Sequence, residues 1–212
     1  KKKKKSSPAA VAMVQAAAAL PVFLLAIPAG VLSDMLDRRK LLICVQLLLA
    51  CVSVSLVILS LTDQHSVASL IMLTFIGGIG VALMGPTWQA IVPELVDKKD
   101  FKNAVGLNSL GINIARAVGP ALGGLLLASM GAAFTYGVDV LSYAVVIAAL
   151  IWWKRPATQR DALSERFPGA FRAGLRYARA SRELHVVLLR AFLFFAMASS
   201  VWALLPLVAR QL

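Results

Sequence analysis

The chain is poor in charge and poor in sulfur chemistry. Asp, Glu, Lys and Arg make up 15% of its 212 residues, where a globular domain carries about 25%. Ala9–Ser33, Leu41–Thr62, Ser66–Pro93 and Ala191–Ala209 contain no charged residue at all. Each run is long enough to cross a hydrocarbon core, which takes about 20 residues of helix. A soluble domain is therefore excluded. The two cysteines, Cys44 and Cys51, lie seven apart in one apolar run. They share a helical face about two turns apart, too far for a disulfide. With no CxxC pair and no Cys/His cluster, no metal, redox centre or other cofactor is expected. HExxH, GxSxG and a P-loop are also missing. An intramembrane aspartyl protease needs two membrane carboxylates, and the apolar segments hold essentially Asp139 alone. Enzyme chemistry is thereby set aside. No secretory leader is recognisable, because the apolar stretch behind Lys1–Lys5 is too long and has no clear cleavage site.

Hydrophobic residues make up 59% of the chain, and mean hydropathy is +0.80. The net charge of +12 includes the five lysines Lys1–Lys5. The remaining basic residues sit mostly between apolar spans. Membrane topology explains them better than nucleic acid does. The expected fold is all-α, a polytopic membrane bundle of six helices. The spans are Ala9–Ser33, Lys40–Leu61, Val67–Leu95, Asn103–Ala128, Ala132–Trp153 and Val186–Ala209. The fourth and fifth come from one long apolar stretch. Only Arg116 and Asp139 are charged between Asn103 and Trp153. Those residues reach roughly 76 Å as helix, enough for two crossings. The reversal is expected at Ser129-Met130-Gly131. Because irregular backbone cannot face lipid, every span should be helical.

The loops orient the bundle. Arg38, Arg39 and Lys40 lie in one; Lys98, Lys99 and Lys102 in another; eight basic residues from Lys154 to Arg182 in a third. The intervening turns carry no lysine or arginine. Loops 34–40, 94–102 and 154–185 are thus expected in the cytoplasm, in a cell inner membrane. Lys1–Lys5 would then lie outside, against the rule. Residues 1–8 read as a non-native addition or the scar of a lost upstream segment, with a natural solvated tail as the alternative. In the 154–185 loop, Phe167, Phe171 and Leu175 are spaced by four, with Arg172, Arg176 and Arg179 on another face. That pattern fits a basic amphipathic helix on the membrane surface, or an ordinary solvated linker.

Two local patterns stand out. The first runs Gly30-Val-Leu-Ser-Asp34-Met-Leu-Asp37-Arg38-Arg39-Lys40. Ala26, Gly30 and Asp34 share one face, so a neighbouring helix can approach closely, and Asp34 is placed to meet an arginine or a helix N-terminus. The second is Gly119-Pro120-Ala121-Leu122-Gly123-Gly124, with Gly111 two turns before. Ala115, Gly119 and Gly123 form a small-residue stripe, and Pro120 removes a backbone hydrogen bond.

These elements resemble motifs A and C of the major facilitator superfamily. Leu20–Ala26, Gly85–Val96 and Asn113–Pro120 are similar to its enterobactin-exporter-like (transmembrane secretion effector) branch. The resemblance covers nearly everything after Pro8. It implies a secondary active exporter of small hydrophobic or siderophore-like molecules, working by alternating access between two six-helix halves. It also implies gating roles for Gly30, Asp34, Asp37, Arg38 and Arg39, and packing roles for Gly111, Gly119, Pro120, Gly123 and Gly124. Met35 and Asp37 stand where motif A usually has a basic residue and a glycine. The arginine of motif B is missing from the third span, which weighs against proton antiport. Asp139 replaces an expected asparagine.

Buried polar groups in membrane helices are the candidates for substrate or ion contact. Here they are Asn108, Asn113, Arg116, Asp139 and Gln89. Arg116 and Asp139 are expected to pair, because an isolated charge in the bilayer is costly. Such a bridge could equally be structural. Gln15, Gln46 and Gln89 read mainly as interhelical glue, and Trp88 as packing. The motif order implies that the six spans, 9–153 and 186–212, correspond to family helices two to seven. Partners would then be the lipid bilayer, a small-molecule substrate and missing helices of the same transporter. The expectation is a piece of an exporter that does not transport alone, or else a non-transporting assembly partner.

Overall fold

A computed structural model of the chain describes residues 8–64, 66–153, 169 and 176–209. It contains α1 (Pro8–Met35), α2 (Arg38–Leu61), α3 (Val67–Leu95), α4 (Phe101–Trp152) and α5 (Arg182–Ala209). No strand occurs among the described residues. The first four helices are long and apolar enough to cross a membrane. The chain is thus an all-α, multi-pass membrane bundle. It divides into two units, Lys1–Ser164 and Glu165–Leu212. Lys1–Lys5 and, of the expected amphipathic stretch, residues 167–168 and 170–175 lie outside the described residues.

Local chemistry sets the helix ends. Asp37 caps α2 by accepting from the Lys40 N–H at 3.1 Å. Ser66 caps α3 in a reciprocal pair with Ser69. At the other end of α2, the Thr62 N–H bonds to the Ile58 carbonyl.

α4 runs for 52 residues, about 78 Å as a straight helix and far more than one crossing needs. It breaks at Gly131, whose φ of 81° and ψ of 175° only glycine adopts easily. The reversal therefore falls within the turn that the sequence indicates. Beyond it, the chain returns antiparallel to α2. Met130 and Phe134 line one apolar cavity of about 600 Å³ with Val57 and Leu61. At the opposite end, Leu150 packs against Leu42 and Ile91.

In the first unit α1 packs chiefly on α3, and α2 packs on both α3 and α4. Leu41, Val45 and Leu49 form one cluster with Leu83, Met84 and Tyr143. Leu42, Ile91 and Leu150 form another with Trp88 and Trp153. Between lipid-embedded helices, contact rests on close packing more than on the hydrophobic effect. The closest approach is at Gly78, where an added Cβ would lie 2.9 Å from the Ala18 carbonyl oxygen and 3.0 Å from Pro21. At Gly80 it would meet Leu49 at 2.7 Å. The first arm of α4, residues 101–130, is different. Nearly every residue there is exposed.

In the second unit, Ser181 Oγ accepts from the Leu184 N–H at 3.3 Å at the start of α5. Glu183 lies in its first turn, favourable to the helix dipole. α5 contains the expected Val186–Ala209 span.

The packing contrast is testable. Gly78→Ala should lower the thermal unfolding midpoint in detergent, with a cost of about 1–3 kcal/mol, because a backbone oxygen cannot step aside. Gly119→Ala, in open space, should leave it unchanged or slightly raised. Equal effects at the two positions would contradict this packing.

Candidate functional site

Two residues separate α1 from α2, and consecutive arginines follow that junction. They point to different neighbours. Arg38 Nη1 donates to Glu94 Oε1 at 2.7 Å and to the Ala90 carbonyl at 3.1 Å, both near the end of α3. Its Nε donates to the Ser33 carbonyl at 3.3 Å. Asp34 adds a weaker ion pair at 3.5 Å across one helical turn. The side chain of Asp34 is 74% exposed, whereas that of Glu94 is 16% exposed. Glu94 is therefore the stronger partner, since screening by water weakens the exposed pair.

Arg39 turns to α4. Its Nε donates to the Leu150 carbonyl and its Nη2 to the Ile151 carbonyl, each at 2.6 Å. The last carbonyls of a helix have no intrahelical donor and carry the negative end of its dipole. A guanidinium suits that position on both counts. The two arginines thus fasten the ends of α1, α3 and α4 to the start of α2. Asp37 supplies the cap of α2. Among the described residues nothing comes within 4 Å of a Cβ built at Gly30.

The polar residues within the spans do not form one cluster. Asn108 Oδ1 accepts from Trp88 Nε1 at 3.0 Å. Trp88 therefore has a polar role besides packing. Asn113 Nδ2 donates to the Ser109 carbonyl, in its own helix, at 2.8 Å. Gln89 and Gln15 are exposed. Gln46 is buried, and its Oε1 has no hydrogen-bond partner.

The expected Arg116–Asp139 pair is not formed. Asp139 accepts instead from Ser53 Oγ of α2 at 2.6 Å. The reason is geometric: the second arm of α4 packs on α2, while Arg116 belongs to the exposed first arm. Among the described residues Arg116 meets no carboxylate and no hydrogen-bond acceptor. It lies 15 residues from both Phe101 and Gly131, roughly 22 Å from either end of that arm. A charge at such depth costs several kcal/mol if left alone. Pro120, which has no N–H, also deprives the Arg116 carbonyl of its usual helical donor.

The second motif is equally open. No atom of the described residues comes within 4 Å of a Cβ built at Gly111, Gly119, Gly123 or Gly124, and Pro120 is exposed. The small residues in tight use are Gly78 and Gly80. The Gly77-Gly78-Ile79-Gly80 run was the signal for them. Glu94 was signalled by an acid ending an apolar span on the side of Arg38. Ser53 carries no sequence signal of its own, since serine is common in membrane helices.

Long apolar helices tied at their ends by charged side chains make a multi-pass membrane bundle. The sequence pattern of the transmembrane secretion effector family matches residues 3–212. The chain belongs to that family, a branch of the major facilitator superfamily of transporters. It is similar to the staphyloferrin A transporter of Staphylococcus aureus, with 28% identity over 91% of this chain and 48% of that protein. It is 25% identical to macrolide efflux protein A of Streptococcus pyogenes, over 85% of this chain and 45% of that one. It is 27% identical to the enterobactin exporter EntS of Salmonella choleraesuis, over 85% of this chain and 43% of that one. The chain spans about half the length of these curated relatives. No solved structure matches it.

The Arg39 clamp gives a direct expectation. Arg39→Ala should leave the Leu150 and Ile151 carbonyls unpaired and let the last turn of α4 fray. Amide exchange at 149–153 should rise about tenfold, with little change around Leu42. Unchanged exchange in that turn would contradict a clamping role.

Proposed function

We propose that the chain is part of a secondary active exporter of small molecules, siderophore-like or drug-like, that works by alternating access. The observation that carries this is the two-way arginine junction: one short connection holds the ends of four helices. A bundle that must rock as one body needs such a fastening. The relatives, named as siderophore transporters and macrolide efflux proteins, support the substrate range.

In this reading Gly30, Asp34, Asp37, Arg38 and Arg39 make the gating junction. Gly111, Gly119, Pro120, Gly123 and Gly124 give α4 a surface for another helix of the transporter. Asn108, Asn113, Arg116, Asp139 and Gln89 are the candidates for the substrate or ion path. The positive-inside rule puts the Arg38 end in the cytoplasm of a bacterial inner membrane and the Gly131 end outside. The six spans correspond to family helices two to seven, and the chain does not transport by itself. The exposed first arm of α4 favours that fragment reading, because helices of the same transporter would cover it. A second reading, a non-transporting assembly partner, is favoured by the coverage of only about half of each relative.

Proteoliposomes loaded with erythromycin, enterobactin or staphyloferrin A decide between these. A protein that carries this segment together with its missing helices should export at least one of them with saturation, and the 212-residue chain should export none. Saturable export by the 212-residue chain would overturn the fragment reading. Failure of both proteins with every compound would overturn the exporter reading.

A further inference from the structure

Polar side chains tie α2 to the second arm of α4. Ser53 donates to Asp139, and Arg39 donates to the Leu150 and Ile151 carbonyls. Gln46, between them on α2, is different. It is 4% exposed, and its Oε1 accepts no hydrogen bond from any described residue. A buried amide oxygen is costly to leave unpaired. The burial comes from helices of this chain, since α2 packs on both α3 and α4. A further helix laid against the outside of the bundle does not reach such a group.

Its place in the interface narrows the choice of partner. Leu42, Gln46 and Ser53 follow at steps of four and seven residues, so they share one face of α2. Leu42 packs on Leu150, and Ser53 bonds to Asp139, so that face meets the second arm of α4. The two helices run antiparallel, and side chains lean toward the N-terminus of their own helix. Gln46 therefore leans toward Leu42, and Trp153, at the far end of α4, leans back toward Leu150. Trp153 packs on the cluster of Leu42, Ile91 and Leu150. Its indole N–H meets no acceptor among the described residues. An orphan acceptor and an orphan donor thus flank one apolar pair without bonding to each other. A single water accepts from the indole and donates to the amide oxygen. It serves equally with the amide turned over, since it then accepts from both.

We propose that Gln46 and Trp153 bind an ordered water between α2 and α4. The water pins the indole at the C-cap of α4 to the interior face of α2. It is a separate tie from Arg39, which holds the carbonyls of the same turn. The commitment is to water because so enclosed a group admits only a small ligand, and the two groups ask for one that donates and accepts at once. The site does not depend on what the transporter carries.

The test is magnetic resonance on the deuterated 212-residue chain in deuterated-lipid nanodiscs, with isotope-labelled glutamine side chains and indoles. Rotating-frame cross-peaks to water separate a bound water, by their dipolar sign, from exchange with bulk. The unmodified chain should show a dipolar peak at the Trp153 indole N–H and another at the Gln46 amide. Gln46→Met, similar in size but without the amide, should lose the indole peak and keep the indole resonance. Trp153→Phe should lose the Gln46 peak. Circular dichroism of each variant checks that the helices are intact, and either variant decides the matter where the other fails to fold. No dipolar peak in the unmodified chain would overturn the proposal. So would an indole peak unchanged in Gln46→Met, or a Gln46 peak unchanged in Trp153→Phe. A direct bond would show as an amide-to-indole cross-peak without one to water, and it too would overturn the proposal.

Discussion

A charge cannot sit unattended in hydrocarbon, and most of this structure follows from that constraint. The apolar runs have three ways to meet it. Charge can move to the helix ends, where water and helix dipoles receive it. It can be matched by a nearby polar group. Or it can be held for a partner. Arg38 and Arg39 show the first solution and Asp139 the second, through the Ser53 hydroxyl. Arg116, on the exposed first arm of α4, meets no carboxylate among the described residues.

The first solution also organises the bundle. Membrane helices gain little by hiding apolar surface from one another, so their relative placement needs tight contacts and polar ties. Gly78 against Ala18 and Pro21 is one such contact. The arginine pair is the corresponding tie, with one guanidinium on a carboxylate and carbonyls of α1 and α3 and the other on the open end of α4. The Ser53–Asp139 hydrogen bond adds a second tie between α2 and α4, nearer the Gly131 end.

Much of this was legible in the residues. Charge-free runs mark α1 to α3 within a few residues, and Gly131 marks the reversal inside α4, because hydropathy and backbone freedom are local properties. The family was legible from the Asp34–Lys40 and Gly111–Gly124 patterns, and the match over residues 3–212 agrees. The pairings were not. Arg39 bonds to main-chain carbonyls, which every residue has, so no side-chain pattern announces them. Asp139 meets Ser53 and not Arg116, because partner choice depends on which arm of α4 packs on α2. The glycines tell the same story: among the described residues nothing approaches those of the second motif, while Gly78 and Gly80 take the close contacts.

Arg38 and Arg39 tie the ends of α1, α3 and α4 to the start of α2, and the placement of these helices rests on that tie. A double-mutant cycle on Arg38 and Glu94, read as thermal unfolding midpoints in detergent, measures it most directly. Arg38→Gln and Glu94→Gln should each lower the midpoint, and the double variant should lose much less than the sum of the two. Additive losses would contradict the tie.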